Sequence, residues 1–226
     1  MDFKGRTVMI TGAAGNLGRA VADHFAGLGA SLVLIDLKAR GGEPGLFIPT
    51  DLLDQKSVDA AVEQAIARFG RIDVLCNIAG GFRMGPPVHE TPDADWNFLL
   101  DLNARTVLHT ARAVVPRMLA AGRGTIVNVG AYAAQKGAAQ MAAYTASKSA
   151  VIRLTEAMAA ELREKGINVN CVLPTIIDTP QNRADMPKAD PGRWVAPQDL
   201  AKVVAFLASD DARAIHGAAL PVTGLS

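Results

Sequence analysis

The stretch from Thr7 to Asp36 leaves this chain few ways to fold. Thr7-Val-Met-Ile10 is a short apolar run of strand type, and Thr11-Gly-Ala-Ala-Gly15-Asn-Leu-Gly18 follows it directly. A helical period then takes over, with Leu17, Val21, Phe25 and Leu28 recurring on one face. Gly29 ends that helix, and Ser31-Leu-Val-Leu-Ile35 makes a second strand that stops at Asp36. Glycines permit a tight turn and close backbone approach, while the helix N-terminus offers N–H groups and the positive end of a dipole. That combination suits a pyrophosphate, with Gly12, Gly15, Asn16, Leu17 and Gly18 as candidate contacts. Asp36 stands 24 residues after Gly12, where a carboxylate can accept hydrogen bonds from an adenosine ribose, with Leu37 beside it.

The alternation continues along the chain. Leu46-Phe-Ile48 is a third strand, ending at Thr50-Asp51-Leu52, and Asp54 is the N-cap of a helix carrying Val58, Val62, Ile66 and Phe69 up to Gly70. Ile72–Cys76 is a fourth strand, running into Asn77-Ile-Ala79-Gly80-Gly81, and a long helix is expected over about 92–121. Thr125–Val129 and Ile167–Leu173 are the fifth and sixth strands, separated by a helix expected to run to Lys165 and end at Gly166. A helix over about 197–208 and a strand near Ala219–Val222 close the pattern. Repeated βα units with near-continuous apolar strands predict a single α/β domain over 1–226: a doubly wound parallel sheet with helices on both faces. Ligands of such sheets bind beyond the carboxyl ends of the strands, where Gly12, Asp36, Asp51, Asn77, Gly130 and Pro174 fall.

Composition narrows the partners. A formal net charge of +1 shows no basic excess, so nucleic acid and anionic membrane are excluded as leading partners. No apolar run reaches membrane-spanning length, and Met1–Arg6 leads straight into a strand without a signal-peptide pattern. Cys76 and Cys171 each sit in a strand-like run and read as buried free thiols, which suits a reducing cytoplasm. The histidines 24, 89, 109 and 216 share no ligand-like spacing, so no metal site is expected.

Chemistry concentrates in Tyr144-Thr-Ala-Ser-Lys148. Residues four apart share a helix face, and an ammonium beside a phenol favours the phenolate. Together with the glycine loop, Asn77-Ile-Ala-Gly80, Asn103, Pro174 and Thr179, this order and spacing resembles the short-chain dehydrogenase/reductase family over essentially the whole chain. The resemblance implies a Rossmann-type fold and hydride transfer between a nicotinamide and a small carbonyl, alcohol, quinone or pterin-like molecule. It assigns Tyr144 as acid/base and Lys148 as the holder of the nicotinamide ribose, with Asn103 supporting a water relay. It also implies that Ile177 and Thr179 meet the carboxamide, that Asp51 and Leu52 lie at the adenine, and that Asn77, Ala79, Gly80 and Pro174 complete the cofactor contacts. NADH is expected over NADPH, because Asp36 would repel a 2′-phosphate, although Lys38 and Arg40 lie nearby. A homodimer or homotetramer is implied as well.

Three departures from the family pattern stand out. The serine usual thirteen residues before the tyrosine is Ala131, which removes a hydrogen-bond donor, and the neighbouring Tyr132 reads as a packing residue. The middle glycine is Gly15, with Asn16 in its usual place. Third, the segment from Thr179 to Trp194 is short, and Thr175 replaces the glycine that usually follows Pro174. These features, and the run from Leu173 to Trp194, are similar to dihydropteridine reductase, which makes an enzyme of that specific kind one alternative. Arg83, Met84, Gln140, Gln181 and Trp194 are expected to face the pocket. A reading of another class is an NAD(H)-binding sensor without turnover; the retained Asn103, Tyr144 and Lys148 argue against it.

Overall fold

The computed structural model describes every residue from Met1 to Ser226. Strands β1 (Thr7–Thr11), β2 (Ser31–Asp36), β3 (Leu46–Pro49), β4 (Val74–Asn77), β5 (Gly124–Val129), β6 (Ile167–Pro174) and β7 (Ala219–Val222) form one sheet in the order β3-β2-β1-β4-β5-β6-β7. All neighbouring pairs are parallel. Because side chains alternate across a strand, each strand feeds two cores. Val8, Ile10, Leu32 and Leu34 enter one core, where α1 (Asn16–Gly27) and α7 (Pro197–Ala208) contribute Val21, Phe25, Leu200 and Val204. Met9, Val33 and Ile35 enter the other, closed by α2 (Gln55–Phe69), α4 (Thr106–Ala121) and the later turns of α5 (Ala142–Leu162). The expected α/β sheet with helices on both faces is therefore present. No helix is long and apolar enough to cross a membrane.

Strand order reverses between β1 and β4, and the loops leaving these two strands open a crevice at the carboxyl edge of the sheet. One hydrogen bond pattern holds that edge. The Thr11 hydroxyl accepts from the Ile78 and Ala79 N–H groups at 2.9 and 3.0 Å, joining the β1 loop to the β4 loop.

Beneath the crevice runs a chain of buried neutral polar groups. Thr110 donates to the Asn77 side-chain oxygen, the Asn77 amide to Asn128, and the Asn128 amide to Thr155, each at 2.8 Å. Asn77 and Asn128 are register partners on β4 and β5, so two adjacent strands present matching amides to each other. The chain connects α4 to α5 through the sheet.

Two helices differ from the sequence expectation. The region 92–121 is not one helix: α3 (Asp93–Leu100) and α4 are separated by a π-helical turn at Asp101–Arg105. A wider turn of this kind re-aims the side chains it carries, here Asn103. The helix expected to reach Lys165 ends at Leu162 and tightens into a 3-10 turn before Gly166, which takes the left-handed conformation. The proline-bearing loop after β6 also holds a short helix, α6 (Pro180–Asp185), started by the Thr179 hydroxyl and by Pro180 in the first turn.

Replacing Asn128 by valine should break the polar chain at its centre and leave the Asn77 amide unpaired. The expected cost is about 2–3 kcal/mol, read as a lower urea midpoint at constant slope. An unchanged midpoint would show that the chain contributes nothing to stability.

Candidate active site

The glycine turn is built by exclusion of side chains. Gly12 has φ +63°, and a Cβ there would lie 2.8 Å from the Ala79 α-carbon; one at Gly18 would lie 2.0 Å from the Gly12 carbonyl oxygen. The backbones of the two loops and of α1 therefore approach as closely as bare glycine allows. Gly15 caps α1 without a side-chain hydrogen bond, and the first amide of that region turned back along the helix is that of Arg19, onto the Gly15 carbonyl. The amides of Asn16, Leu17 and Gly18 are left as the donors of the first turn. Asp36, at the end of β2, accepts from the Ala14 N–H at 3.0 Å and the Leu37 N–H at 2.7 Å, while Leu37 itself is exposed. A turn that a Cβ would fill, open amides at a helix N-terminus and a carboxylate alongside fit a dinucleotide.

The second half of the site lies where α5 passes the π turn. Lys148 is buried, and its ammonium donates to the Val129 carbonyl at 2.8 Å. Asn103 is also buried. It clamps the Gly81 backbone from both sides, accepting from the N–H at 2.9 Å and donating to the carbonyl at 3.1 Å, and it donates to the Ser147 hydroxyl at 3.0 Å. Gly80 sits between these groups: a Cβ there would meet the Asn103 oxygen at 2.8 Å and the Lys148 nitrogen at 2.9 Å. Tyr144 is partly buried, with the Phe82 ring edge-on to it at 4.9 Å between centroids.

Burial controls the titration of this pair. Desolvation pushes the Tyr144 phenol up to about 12 and the Lys148 ammonium down to about 8, the latter partly offset by Cys171. The simple expectation that the ammonium lowers the phenol is thus overridden in the free protein. Burial, which disfavours the charged phenolate, is the cause of the upward shift. Cys76 and Cys171 are free and buried, as expected, and burial raises the Cys171 thiol to about 11.

The remaining candidates are dispersed along the same edge. Pro174 ends β6; the Ile177 carbonyl accepts from the Asn182 amide at 2.7 Å; Thr179 caps α6. Asp51 is spent locally, accepting from the Leu53 N–H, and the Leu52 carbonyl holds the His109 ring at 2.9 Å. A small cavity beside Tyr144 is lined by Arg83, Met84, Leu99, Gln140 and Met141 among others. Gln181 and Trp194 do not line it: Gln181 is exposed on α6 and Trp194 is buried. Ala131 is buried among Val107, Val151, Ile152 and Leu173, and Tyr132, expected to pack, is 45% exposed because a 3-10 turn begins there. Thr11, Asn128 and Ser147 were not singled out from the sequence. The repeated asparagine at the ends of the fourth and fifth strands was the available signal.

A family model described as enoyl-(acyl carrier protein) reductase matches residues 12–224. D-threitol dehydrogenase of Mycolicibacterium smegmatis is 36% identical over 99% of this chain and 94% of its own length. Cis-4-hydroxycyclohexanecarboxylate dehydrogenase of Sinomonas cyclohexanicum is also 36% identical, over 98% and 96%. Among solved structures, NAD+-bound xylitol dehydrogenase matches with a TM-score of 0.90 at 28% identity, over 99% of this chain and 100% of that one. Fold, site and relatives together define a nicotinamide-cofactor-dependent oxidoreductase. The chain belongs to the short-chain dehydrogenase/reductase family. The narrower likeness to dihydropteridine reductase finds no support among these relatives. Its matching residues do local structural work instead: Thr179 and Asp190 cap short helices, and Arg183 pairs with Asp178.

The depressed Lys148 pKa makes a stability prediction. Below pH 8 both folded and unfolded chains hold the proton, and the buried charge is a constant cost. Between about 8 and 10.5 the unfolded lysine binds more protons than the folded one, so this cost is relieved as pH rises. Lys148→Met should therefore be more stable than its parent at pH 7, by an amount on the order of 2–3 kcal/mol that shrinks towards pH 10. Melting curves of both proteins across that range check it; a pH-independent difference would refute a buried charged lysine.

Proposed function

We propose that this chain is an NADH-preferring dehydrogenase that interconverts a small secondary alcohol and its ketone. Tyr144 acts as acid/base, Lys148 holds the nicotinamide ribose, and Asn103 positions Lys148. The observation that carries the reading is the convergence of the Lys148 ammonium and the Asn103 oxygen on the bare α-carbon of Gly80, one loop away from the glycine turn. The pyrophosphate is assigned to Gly12, Gly15, Asn16, Leu17 and Gly18 and the adenosine to Asp36, Leu37, Asp51 and Leu52. Asn77, Ala79, Gly80, Pro174, Ile177 and Thr179 are assigned to the nicotinamide side. The alcohol class is favoured because the relatives above are dehydrogenases named for D-threitol, a hydroxycyclohexanecarboxylate and xylitol. We assign the whole of 1–226 to one cytoplasmic domain. A homo-oligomer through α3 and α4 is supported by the exposed Trp96, Phe98, Leu108 and Leu119.

NAD(H), when bound, supplies or accepts the hydride. In the ketone-reducing direction the Tyr144 hydroxyl donates its proton to the carbonyl oxygen as negative charge develops there. In the reverse direction the phenolate takes the proton from the alcohol. Burial keeps the Tyr144 phenol protonated in the free protein, and a cation held beside it, the role proposed for Lys148, lowers the cost of leaving a phenolate behind. Ala131 brings no donor, so Tyr144 carries more of the oxyanion stabilisation than it would beside a serine.

Tyr144→Phe keeps the ring and its contact with Phe82 while removing the proton. Turnover should fall about a thousandfold, with the NADH dissociation constant changed by no more than about twofold. Near-full activity in this variant would remove Tyr144 from the mechanism.

Cofactor choice should follow Asp36. Two unit charges about 4 Å apart repel by roughly 1–4 kcal/mol between bulk-water and near-surface conditions, which corresponds to about fivefold or more. Arg40 reaches the Ala14 carbonyl at 3.1 Å and is the cation placed to soften that penalty. Comparison of kcat/KM for the two cofactors should favour NADH, and Asp36→Ala should narrow the gap. A higher value with NADPH in the parent protein would overturn the assignment.

A further inference from the structure

We propose that Thr175 is a positioning residue whose hydroxyl ties the loop carrying Ile177 and Thr179 to the segment 223–226, and that this tie sets how tightly the nicotinamide end of the cofactor is held. The proposal rests on the cofactor reading above. In the family pattern this position is glycine, which has no side chain to make such a tie.

The Thr175 hydroxyl donates to the Thr223 carbonyl at 2.9 Å and lies 2.8 Å from the Ser226 hydroxyl. Its N–H donates to the Val222 carbonyl at 3.3 Å, continuing the β6–β7 pairing by one residue. The same segment also holds the chain at Arg193, on the far side of the loop that follows β6. The Leu225 N–H donates to the Arg193 carbonyl at 2.9 Å, and the Arg193 guanidinium returns to the Leu225 carbonyl at 2.7 Å. The two sides of this loop also pair with each other: Ile177 and Val195 form a parallel bridge, the Asp178 N–H donates to the Val195 carbonyl at 2.8 Å, and the Val195 N–H to the Ile176 carbonyl at 2.9 Å. Residues 223–226 thus lie across the base of the lid formed by the paired segments 176–178 and 193–195, and bond to both sides of it.

Gly224 makes the crossing possible. Its φ is +58°, and a Cβ there would lie 2.9 Å from the Arg193 carbonyl oxygen. Gly224, Leu225 and Ser226 are exposed, so these bonds form in competition with water and their loss loosens the lid without unfolding the sheet. Thr175 is the point of leverage, because it immediately follows Pro174 at the end of β6 and precedes both candidate nicotinamide contacts.

Two variants test the tie. Thr175→Val keeps the shape and removes the hydroxyl, while Thr175→Ser keeps the hydroxyl. In the cofactor-free protein, Thr175→Val should speed amide exchange at 176–179 and 193–195 by about tenfold, leaving β1, β4 and β5 unchanged. The NADH dissociation constant and KM should rise by about fivefold with kcat within about twofold. Thr175→Ser should restore all three. Unchanged exchange in Thr175→Val, faster exchange throughout the sheet, or failure of Thr175→Ser to rescue would each overturn the proposal. If the parent protein does not bind NADH, the cofactor reading fails by itself, and the exchange measurements still decide whether the hydroxyl holds the lid.

Discussion

The structure is arranged around the burial of one ammonium group. Lys148 is removed from water, and a charge so placed is tolerated where polar partners meet it. Its hydrogen-bond partner is the Val129 carbonyl at the end of β5, and the Asn103 side chain, from a separate part of the chain, approaches the same Gly80 position. Bringing Asn103 there requires the π turn between α3 and α4, and bringing the backbone there requires that residue 80 have no side chain. Local irregularities that would count as defects elsewhere are the means by which this charge is accommodated.

The layout of the sheet was legible because its signals are periodic and redundant. Apolar strand runs, helical faces such as Val58 and Val62, and terminal glycines such as Gly70 and Gly166 agree with one another at each element. The π turn was not legible. A single additional residue within a turn leaves the spacing of Trp96, Leu99, Leu102 and Val107 compatible with an unbroken helix. Tertiary demand, here the clamp of Asn103 on Gly81, selects the wider turn.

The sequence located candidate residues more readily than the physics acting on them. Tyr144 and Lys148 were paired by their spacing and Asn103 was added by the family resemblance, and the structure brings Lys148 and Asn103 together at Gly80. Spacing carries no information about solvent exposure, however, so it could not show that burial drives the Tyr144 phenol upward instead of letting the lysine pull it down. The lid taught the complementary lesson. Its prolines, N-cap threonine and Arg–Asp pair are what a short surface helix requires, whatever molecule lies beneath, so a likeness resting on them does not identify a substrate.

The polar chain below the crevice has a different kind of consequence. Thr110, Asn77, Asn128 and Thr155 are amides and hydroxyls, groups that keep one protonation state across the whole working range of pH. Lys148, by contrast, has its pKa lowered by burial to about 8. The polar frame beneath the crevice is therefore electrically silent, whatever charge Lys148 carries. A scaffold of carboxylates and lysines in the same positions would rearrange its own bonds each time the solution changed, and a detector of protons would result. Built from neutral dipoles, this one keeps its geometry independent of the charge it carries.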